Sequence, residues 1–424
     1  MTIENYRGTM QRCTRCSYCK WVPWDHLKSW RFAKGCPSIG YNNFQSYSAG
    51  GRLAASLSVL DARSSYSEGF LDIIYQCQMC GACDVACKIC RYDMEPLEAM
   101  REMRIKLVED GQVLPKHKAL IKNLEKENTM IGDKVKADRK QWAEEFNIKD
   151  LSKEKAEVAF HVGCRLNYDD DLRHVTGSAI AILKDTGIDI GVLGKNENCC
   201  GGRAYELGYK KAFLKCAQSN IDAWVKAGVK TVITSCSTCY WAFKRLYPQA
   251  GYNFDILHTV EFVDRLIKEG TLTFRKPIPK IVTYHDPCHL GRLGEPYVQW
   301  EGVEKRILGQ MLVHEPKKPR YNGIFGIYEP PRDILKNIPG LKLVEMERNR
   351  EYAWCCGAGG GVMETYPDLC SWTAQERLQE ARATGAEAIV TACPGCERNF
   401  MNAIKTDGTK MEVYDIVDLI QQAM

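Results

Sequence analysis

Residues 232–239 read VITSCSTC, and residues 389–396 read IVTACPGC. Each couples a short β-branched run to a C-x2-C pair, and the match marks an internal repeat. Two more runs of the same texture, EVAFHVGC (157–164) and KIVTYHDPC (280–288), also lead into a cysteine. From Glu157 onward these runs alternate with amphipathic segments, which predicts βαβ units around parallel sheets and an α/β class. One such segment spans Asp170 to Asp185, with Leu172, Val175, Ala179, Ile182 and Leu183 on one face and Gly187 placed to end it. The terminal YDIVDLIQQAM offers Ile416, Val417, Leu419 and Ile420 for a similar packing role.

The repeat extends to two vicinal pairs, Cys199-Cys200 in NENCCGG and Cys355-Cys356 in WCCGAGGG. Cys199 and Cys355 are 156 residues apart, and Cys236 and Cys393 are 157 apart. Cys164 and Cys288 are only 124 apart, so the second copy carries about 32 extra residues ahead of its vicinal pair. That insertion takes in much of EPYVQWEGVEKRILGQMLVHEPKKPRYNG (295–323) and is expected to cover or reshape whatever cleft the repeats form. Five cysteines belong to each copy: Cys164, Cys199, Cys200, Cys236 and Cys239, then Cys288, Cys355, Cys356, Cys393 and Cys396. A four-iron cube needs only four thiolates, so the fifth bridges two irons, binds a distorted cluster, or stays free. The glycines after each pair are expected to let backbone approach bulky inorganic sulfur.

The chain has 424 residues, 45% hydrophobic and 26% charged, which is ordinary globular composition and room for about three domains. A formal net charge of +5, with no long basic run interleaved with aromatics, gives no footprint for nucleic acid. The N-terminus MTIENYRGTM lacks the pattern of a signal peptide, and no window has the apolar length of a spanning helix. A cytoplasmic protein is expected, and its 21 cysteines then point to metal or redox chemistry rather than disulfides. The charged stretch from Glu98 to Glu157 reads as solvated helices leading into a linker.

Cys77, Cys80, Cys83 and Cys87 follow C-x2-C-x2-C-x3-C, in which three thiolates grip one iron–sulfur cube and the fourth reaches another. Cys13, Cys16 and Cys19 repeat the triplet, with Cys36, before Pro37, as a late fourth ligand after a 16-residue gap. Crossing then groups Cys13, Cys16, Cys19 and Cys87 on one cluster, and Cys36, Cys77, Cys80 and Cys83 on the other. Lys88 stands where the pattern has proline, and Cys90 is the alternative to Cys87. Zinc favours separated cysteine pairs, which these triplets do not offer. Trp21, Trp24 and Trp30 in the first cysteine segment form a hydrophobic shield or a docking surface.

The spacing C-x34-CC-x35-C-x2-C of the first copy resembles the CCG domain of heterodisulfide reductases, and the second copy resembles it with a longer first gap. HDPCHLGR (285–292) and GIYEPPRDIL (326–335) are also similar to that family. With the N-terminal cysteines, the resemblance covers nearly the whole chain and is nearest the D-subunit type. It implies a helical two-cluster ferredoxin-like domain (1–155), then two Rossmann-like βαβ CCG domains related by internal repeat (156–275 and 276–424). It further implies two cubane 4Fe-4S clusters on Cys13, Cys16, Cys19, Cys36, Cys77, Cys80, Cys83 and Cys87, and two noncubane 4Fe-4S clusters on the two five-cysteine sets. In that family a small disulfide is reduced between the noncubane clusters. Similar chains serve as electron-transfer subunits in anaerobic complexes, the D subunit of class II benzoyl-CoA reductase among them. Redox protein subunits are the implied partners, and any membrane association would run through one of them.

Cys216 and Cys370 lie in helical texture and read as core. His285 and His289 flank Cys288, where they either donate to sulfur or are satisfied by local backbone. Arg203 and Arg292 either offset cluster charge or lie on the surface. The run GAGGG (357–361) lacks the spacing of a dinucleotide fingerprint, and no phosphate-binding loop is present. Electrons are therefore expected to enter and leave through other proteins.

Overall fold

The computed structural model of the chain describes residues 2–91, 93–132, 134–298, 300–309 and 311–424. The runs that lead into cysteines form strands, since Val, Ile and Thr suit a pleated surface covered on both faces. β1 (Lys149–Asp150), β2 (Val158–Phe160), β3 (Ile190–Val192), β4 (Thr231–Thr234) and β5 (Asp255–His258) form one sheet in the order β1-β3-β2-β4-β5, parallel throughout. β1 thus joins this sheet from ahead of residue 155. β6 (Lys280–His285) begins the second half, and β7 (Val303–Ile307) and β8 (Met311–Glu315) form a separate antiparallel hairpin. β9 (Leu341–Val344), β10 (Ala388–Thr391) and β11 (Glu412–Asp415) join β6 in a second parallel sheet, ordered β11-β10-β6-β9. Cys164, Cys199, Cys236, Cys288, Cys355 and Cys393 all follow carboxyl ends of these strands, where open α/β sheets place their ligands.

Helix Arg173–Asp185 buries Val175, Ala179, Ile182 and Leu183, and Leu172 just ahead of it is buried too. Helix Ile416–Ala423 buries Ile416, Val417, Leu419 and Ile420. The two helices pack on one another, so the end of the chain closes over the first sheet's unit. Arg398, in helix Pro394–Asp407, crosses to Asp169 and Asp171 at 2.7 and 3.0 Å. Ser237 Oγ donates to Ala392 O at 2.7 Å where the two repeats face each other.

The N-terminal part is helical, including Ala49–Leu60, Glu68–Tyr75, Ala82–Cys90, Pro96–Glu109 and Pro115–Glu127. Helix Pro96–Glu109 corrects the reading of this region as solvated. It buries Ala99, Met100, Met103, Ile105 and Leu107 together with Arg101 and Arg104. Charge was a poor guide here because Arg104 has backbone partners on all sides. Its guanidinium donates to Ile74 O (3.0 Å), Cys77 O (2.8 Å), Glu206 O (3.0 Å) and Gly360 O (2.9 Å). One side chain thereby ties the N-terminal part to both sheet units. Gly208 approaches the same helix so closely that a Cβ there would overlap Arg104 O.

The insertion also departs from expectation. Its described residues pack toward the N-terminal part: Glu304 meets Arg12 at 3.5 Å, and Lys318 meets Glu95 at 3.0 Å. Gln299 and Gln310 lie outside the described residues. Among the described residues, no helix is long and apolar enough to cross a membrane.

Replacing Arg104 with methionine takes the donor from the carbonyls of Ile74, Tyr75, Cys77, Glu206 and Gly360, and each buried carbonyl left unpaired costs about 1–3 kcal/mol. Denaturant unfolding of the anaerobic protein should therefore show Arg104→Met destabilised by at least about 3 kcal/mol, while Arg63→Met, on an exposed side chain, stays near wild type.

Candidate functional site

The thiols fall into four sets. In the first, the half-buried Cys87 thiol is pushed up by burial, by Asp84, and then by Cys19, Cys13 and Cys16 around it. Cys83 and Cys87 share helix Ala82–Cys90, one turn apart, so this helix serves two sets at once. Cys90, its last residue, is exposed.

The second set is Cys36, Cys77, Cys80 and Cys83, which line one cavity of about 20 Å³. Burial pushes the Cys36 thiol up to about 12 against the opposing pull of Arg52, with Cys77 and Cys80 adding to the rise. Arg52 is buried and held by Tyr47 O, Ile73 O and Gln76 O, so its charge faces the set from a fixed position.

The third and fourth sets are the five-cysteine groups of the second and first repeats, in that order. Nine of these ten residues line one cavity of about 100 Å³ between the repeats; the tenth, Cys355, is hydrogen-bonded to Cys288, Cys356 and Cys80. Cys239 is hydrogen-bonded to Cys200 and Cys236 and buried, which holds its proton well above the usual thiol range. Cys396 stands the same way with Cys356 and Cys393. Such crowding decides what the sets can hold. Five thiols in a water-poor cavity cannot all ionise against each other, and sulfur-only donors select soft or thiophilic metals. Bound cations would reverse the penalty, so the residues fit a thiolate-held metal cluster.

Each five-cysteine set rests on a buried carboxylate. Glu197, two residues before Cys199, accepts from Val162 N and Gly163 N at 2.9 Å each and pairs with Arg139 at 2.9 Å. It thereby locks the loop bearing Cys164 to the loop bearing the vicinal pair. Gly163, at φ +81°, holds a backbone conformation that side chains disfavour, and a Cβ there would crowd Cys239 Sγ at 3.1 Å. In the second repeat the acid sits on the other loop. Asp286, two residues before Cys288, takes a bidentate pair from Arg332 at 2.7 and 2.9 Å and accepts from Arg350 N at 2.9 Å. Arg332 belongs to the EPPRDIL stretch and Asp286 to HDPCHLGR, so the two family-like motifs meet in one ion pair.

The glycines after the vicinal pairs also make contacts within the protein. Gly201 N and Gly357 N donate to Cys199 Sγ (3.5 Å) and Cys355 Sγ (3.3 Å). Further along the GAGGG run, Gly359 and Gly360 lie against the backbone of Cys77 and Gln78. Gly359 and Gly360 thus make room for protein backbone from another thiol set.

Two thiol contacts link the sets. Cys80 of the second set is hydrogen-bonded to Cys355 of the third and, with Arg292 beside it, lowered to about 6. Cys236 of the fourth set is hydrogen-bonded to Cys393 of the third. Arg292 is buried at the first joint, donating to Cys80 O and Glu351 O at 2.6 Å each. Arg203 lines the cavity and pairs with Glu364. His289 lines the cavity too, held by Glu206 (2.9 Å) and Thr238 (3.1 Å). Burial opposes its charge, but Glu206 and Cys288 push it up to about 9. His285 receives a hydrogen bond from Arg377 at 3.1 Å and lies with Cys356 and Cys396. Cys216 and Cys370 are buried in helices Lys210–Lys226 and Pro367–Ala383. No described residue of 295–323 lines the cavity, which corrects the expectation that the insertion covers it.

Sequence reasoning missed Arg52, Arg104, Glu197, Glu206 and Arg165, and also Met130 and Ile131, which line the cavity from the supposed linker. Only Glu197 carried a local signal, through its place beside the vicinal pair.

Comparison with known proteins places these features. The cysteine-rich CCG domain family matches residues 158–244 and 282–401, and the 4Fe-4S dicluster domain family matches 9–89. The D subunit of the dihydromethanophenazine:CoB–CoM heterodisulfide reductase of Methanosarcina mazei is 30% identical, over 98% of this chain and 94% of its own length. The probable iron-sulfur-binding oxidoreductase FadF of Bacillus subtilis is 27% identical over 95% of this chain and 53% of its own. A crystal structure of a hypothetical protein from Helicobacter pylori shares the fold, with a TM-score of 0.54 at 11% identity over 89% of this chain and 68% of that one.

Glu197→Ala removes the partner of a buried guanidinium and of two backbone N–H groups, which should cost about 3–5 kcal/mol. Denaturant midpoints of the anaerobic protein check this. Glu197→Gln, which keeps an acceptor, should lose measurably less.

Proposed function

This chain belongs to the family of iron–sulfur proteins that join a 4Fe-4S dicluster domain to paired cysteine-rich CCG domains, the heterodisulfide reductase D type, and from that premise we propose that it is an oxidoreductase subunit carrying electrons within a multi-subunit redox complex, of which class II benzoyl-CoA reductase is one kind. Cys13, Cys16, Cys19 and Cys87 would hold one cubane 4Fe-4S cluster, and Cys36, Cys77, Cys80 and Cys83 a second. Cys164, Cys199, Cys200, Cys236 and Cys239 would hold a noncubane cluster, and Cys288, Cys355, Cys356, Cys393 and Cys396 another. When bound, such clusters supply one-electron redox sites whose potentials respond to charge, hydrogen bonding and burial. Residues 1–155, 156–275 and 276–424 are the proposed units, and the cytoplasm is the proposed location.

Continuity carries this reading. The four sets connect in series, with helix Ala82–Cys90 shared by the first two and thiol contacts at Cys80–Cys355 and Cys236–Cys393. The protein's own part is to hold the sets adjacent and to place Arg52 and Arg292 beside thiolate charge. Water is kept low by burial of Cys80, Cys83, Cys199, Cys200, Cys355 and Cys356.

One observation favours a second reading, in which the chain itself reduces a disulfide. The cavity of about 100 Å³ lies between the two five-cysteine sets, and Arg165 and Arg203 line it with cationic groups suited to an anionic substrate. Cleavage there takes two electrons and two protons and releases two thiols.

Iron analysis of anaerobically purified protein should give about sixteen irons per chain, four for each set. A zinc-dominated result contradicts both readings. With a reduced dye as donor, the electron-carrying reading predicts reduced clusters and no steady thiol release from disulfides, the CoM–CoB heterodisulfide included. Sustained thiol release selects the second reading.

A further inference from the structure

The line of thiol sets reaches the surface at Cys16, which is exposed. Around it, residues 21–34 form a loop closed by the antiparallel bridge between Trp21 and Lys34 and by Val22 N donating to Ala33 O at 2.8 Å. Of the two readings of its tryptophans, a shield or a docking surface, their exposure favours the second. Trp24 is 77% exposed, Trp30 85% and Trp21 42%. Together with Leu27 and Cys16 they line a surface cavity of about 340 Å³. Aromatic surface of this size left in water is costly unless something covers it.

The loop is fixed before any partner arrives. Arg31 makes a bidentate pair with Glu376 at 2.8 and 2.9 Å, Arg348 donates to Lys34 O at 2.8 Å, and the His26 ring lies 4.4 Å from that of Tyr352. A preorganised patch loses little conformational entropy on binding. Its charge is one-sided. Arg12 and Arg31 are paired with carboxylates, whereas Arg15, Lys20, Lys28 and Lys34 have none within ion-pair distance among the described residues. Asp25 is the sole acid between residues 12 and 34, and it lies 3.5 Å from His26.

We propose that the Trp21–Trp24–Trp30 patch is the docking site of a small, acidic iron–sulfur electron carrier, which exchanges single electrons with the chain at Cys16. The inference rests on the electron-carrying role proposed above. Aromatic anchors supply the contact area, and the unpaired cations steer and orient an acidic face. Tryptophan and lysine would also suit an anionic lipid surface. The exposed cysteine that lines the patch favours a redox protein, since a membrane would gain nothing from it. In each transfer the reduced carrier loses one electron and the chain gains it, with no bond made or broken.

The test uses full-length, iron-loaded anaerobic protein and an acidic two-cluster 4Fe-4S ferredoxin, with binding followed by titration calorimetry. Wild type should bind with an affinity that falls as salt rises, because the steering charges are screened. Trp24→Ser/Trp30→Ser should weaken binding about 30-fold, and Arg15→Glu/Lys28→Glu about tenfold. Iron content and reduction by a small dye should be unchanged in both. Wild-type affinity in both variants would overturn the proposal. So would a dye-reducible wild type that ignores the ferredoxin, or variants that lose only binding to phosphatidylserine vesicles. A chain that binds ferredoxin at the patch but whose clusters no dye reduces would instead contradict the electron-carrying role and leave the docking surface standing.

Discussion

Two backbones touch where Gly359 and Gly360 lie against Cys77 and Gln78, and the arrangement of the thiol sets depends on that contact. A Cβ on Gly359 would fall 2.5 Å from Gln78 O, and one on Gly360 would overlap Cys77 O. Any side chain there would therefore push the N-terminal part away from the second repeat. Gly360 is then fixed from both sides, its carbonyl accepting from Arg104 at 2.9 Å and its N–H donating to Glu206 at 3.3 Å. Glu206 goes on to hold His289 at the wall of the inter-repeat cavity. A single close approach thus sets the Cys80–Cys355 joint and, through Glu206, aligns the cavity with it.

Holding that much sulfur together needs charge in the interior, and the chain supplies it in satisfied pairs. Glu197 with Arg139 and Asp286 with Arg332 are buried ion pairs whose carboxylates also accept backbone N–H groups. Buried pairs of this kind contribute little net stability, because desolvation offsets most of the attraction. Their contribution is positional: each joins the loop carrying the first cysteine of its set to the loop leading to the vicinal pair. The two repeats reach this end by opposite routes, with the acid beside the vicinal pair in one and beside the first cysteine in the other. Arg332, the partner of the second acid, lies between Cys288 and Cys355 in EPPRDIL, beyond the insertion.

Much of the fold was legible because its strands are marked twice, by β-branched residues and by the cysteines that follow them. β2, β4, β6 and β10 all fall on such runs. The grouping of cysteines into sets was also legible, since thiols three or four residues apart on a helix or turn share a face. Helix Pro96–Glu109 was not, because local charge says nothing about carbonyl acceptors more than a hundred residues away, and Arg104 is buried by those acceptors. The course of the insertion was hidden for the same reason. Its length could be counted from the repeat offsets, but Glu304–Arg12 and Lys318–Glu95 are contacts between segments with no sequence relation. The tryptophans were visible as residues, and only the structure separates a shield from a surface.

Electron carriage by this chain requires four thiol-held iron sites in series, joined at Cys80–Cys355 and Cys236–Cys393. Anomalous diffraction at the iron edge from anaerobically grown crystals tests it most directly. Four groups of iron peaks are expected, one at each cysteine set, in the order first, second, third and fourth, with the last two flanking the cavity that His289 lines. Iron at only the N-terminal sets, or a single metal peak shared across the cavity, would contradict it.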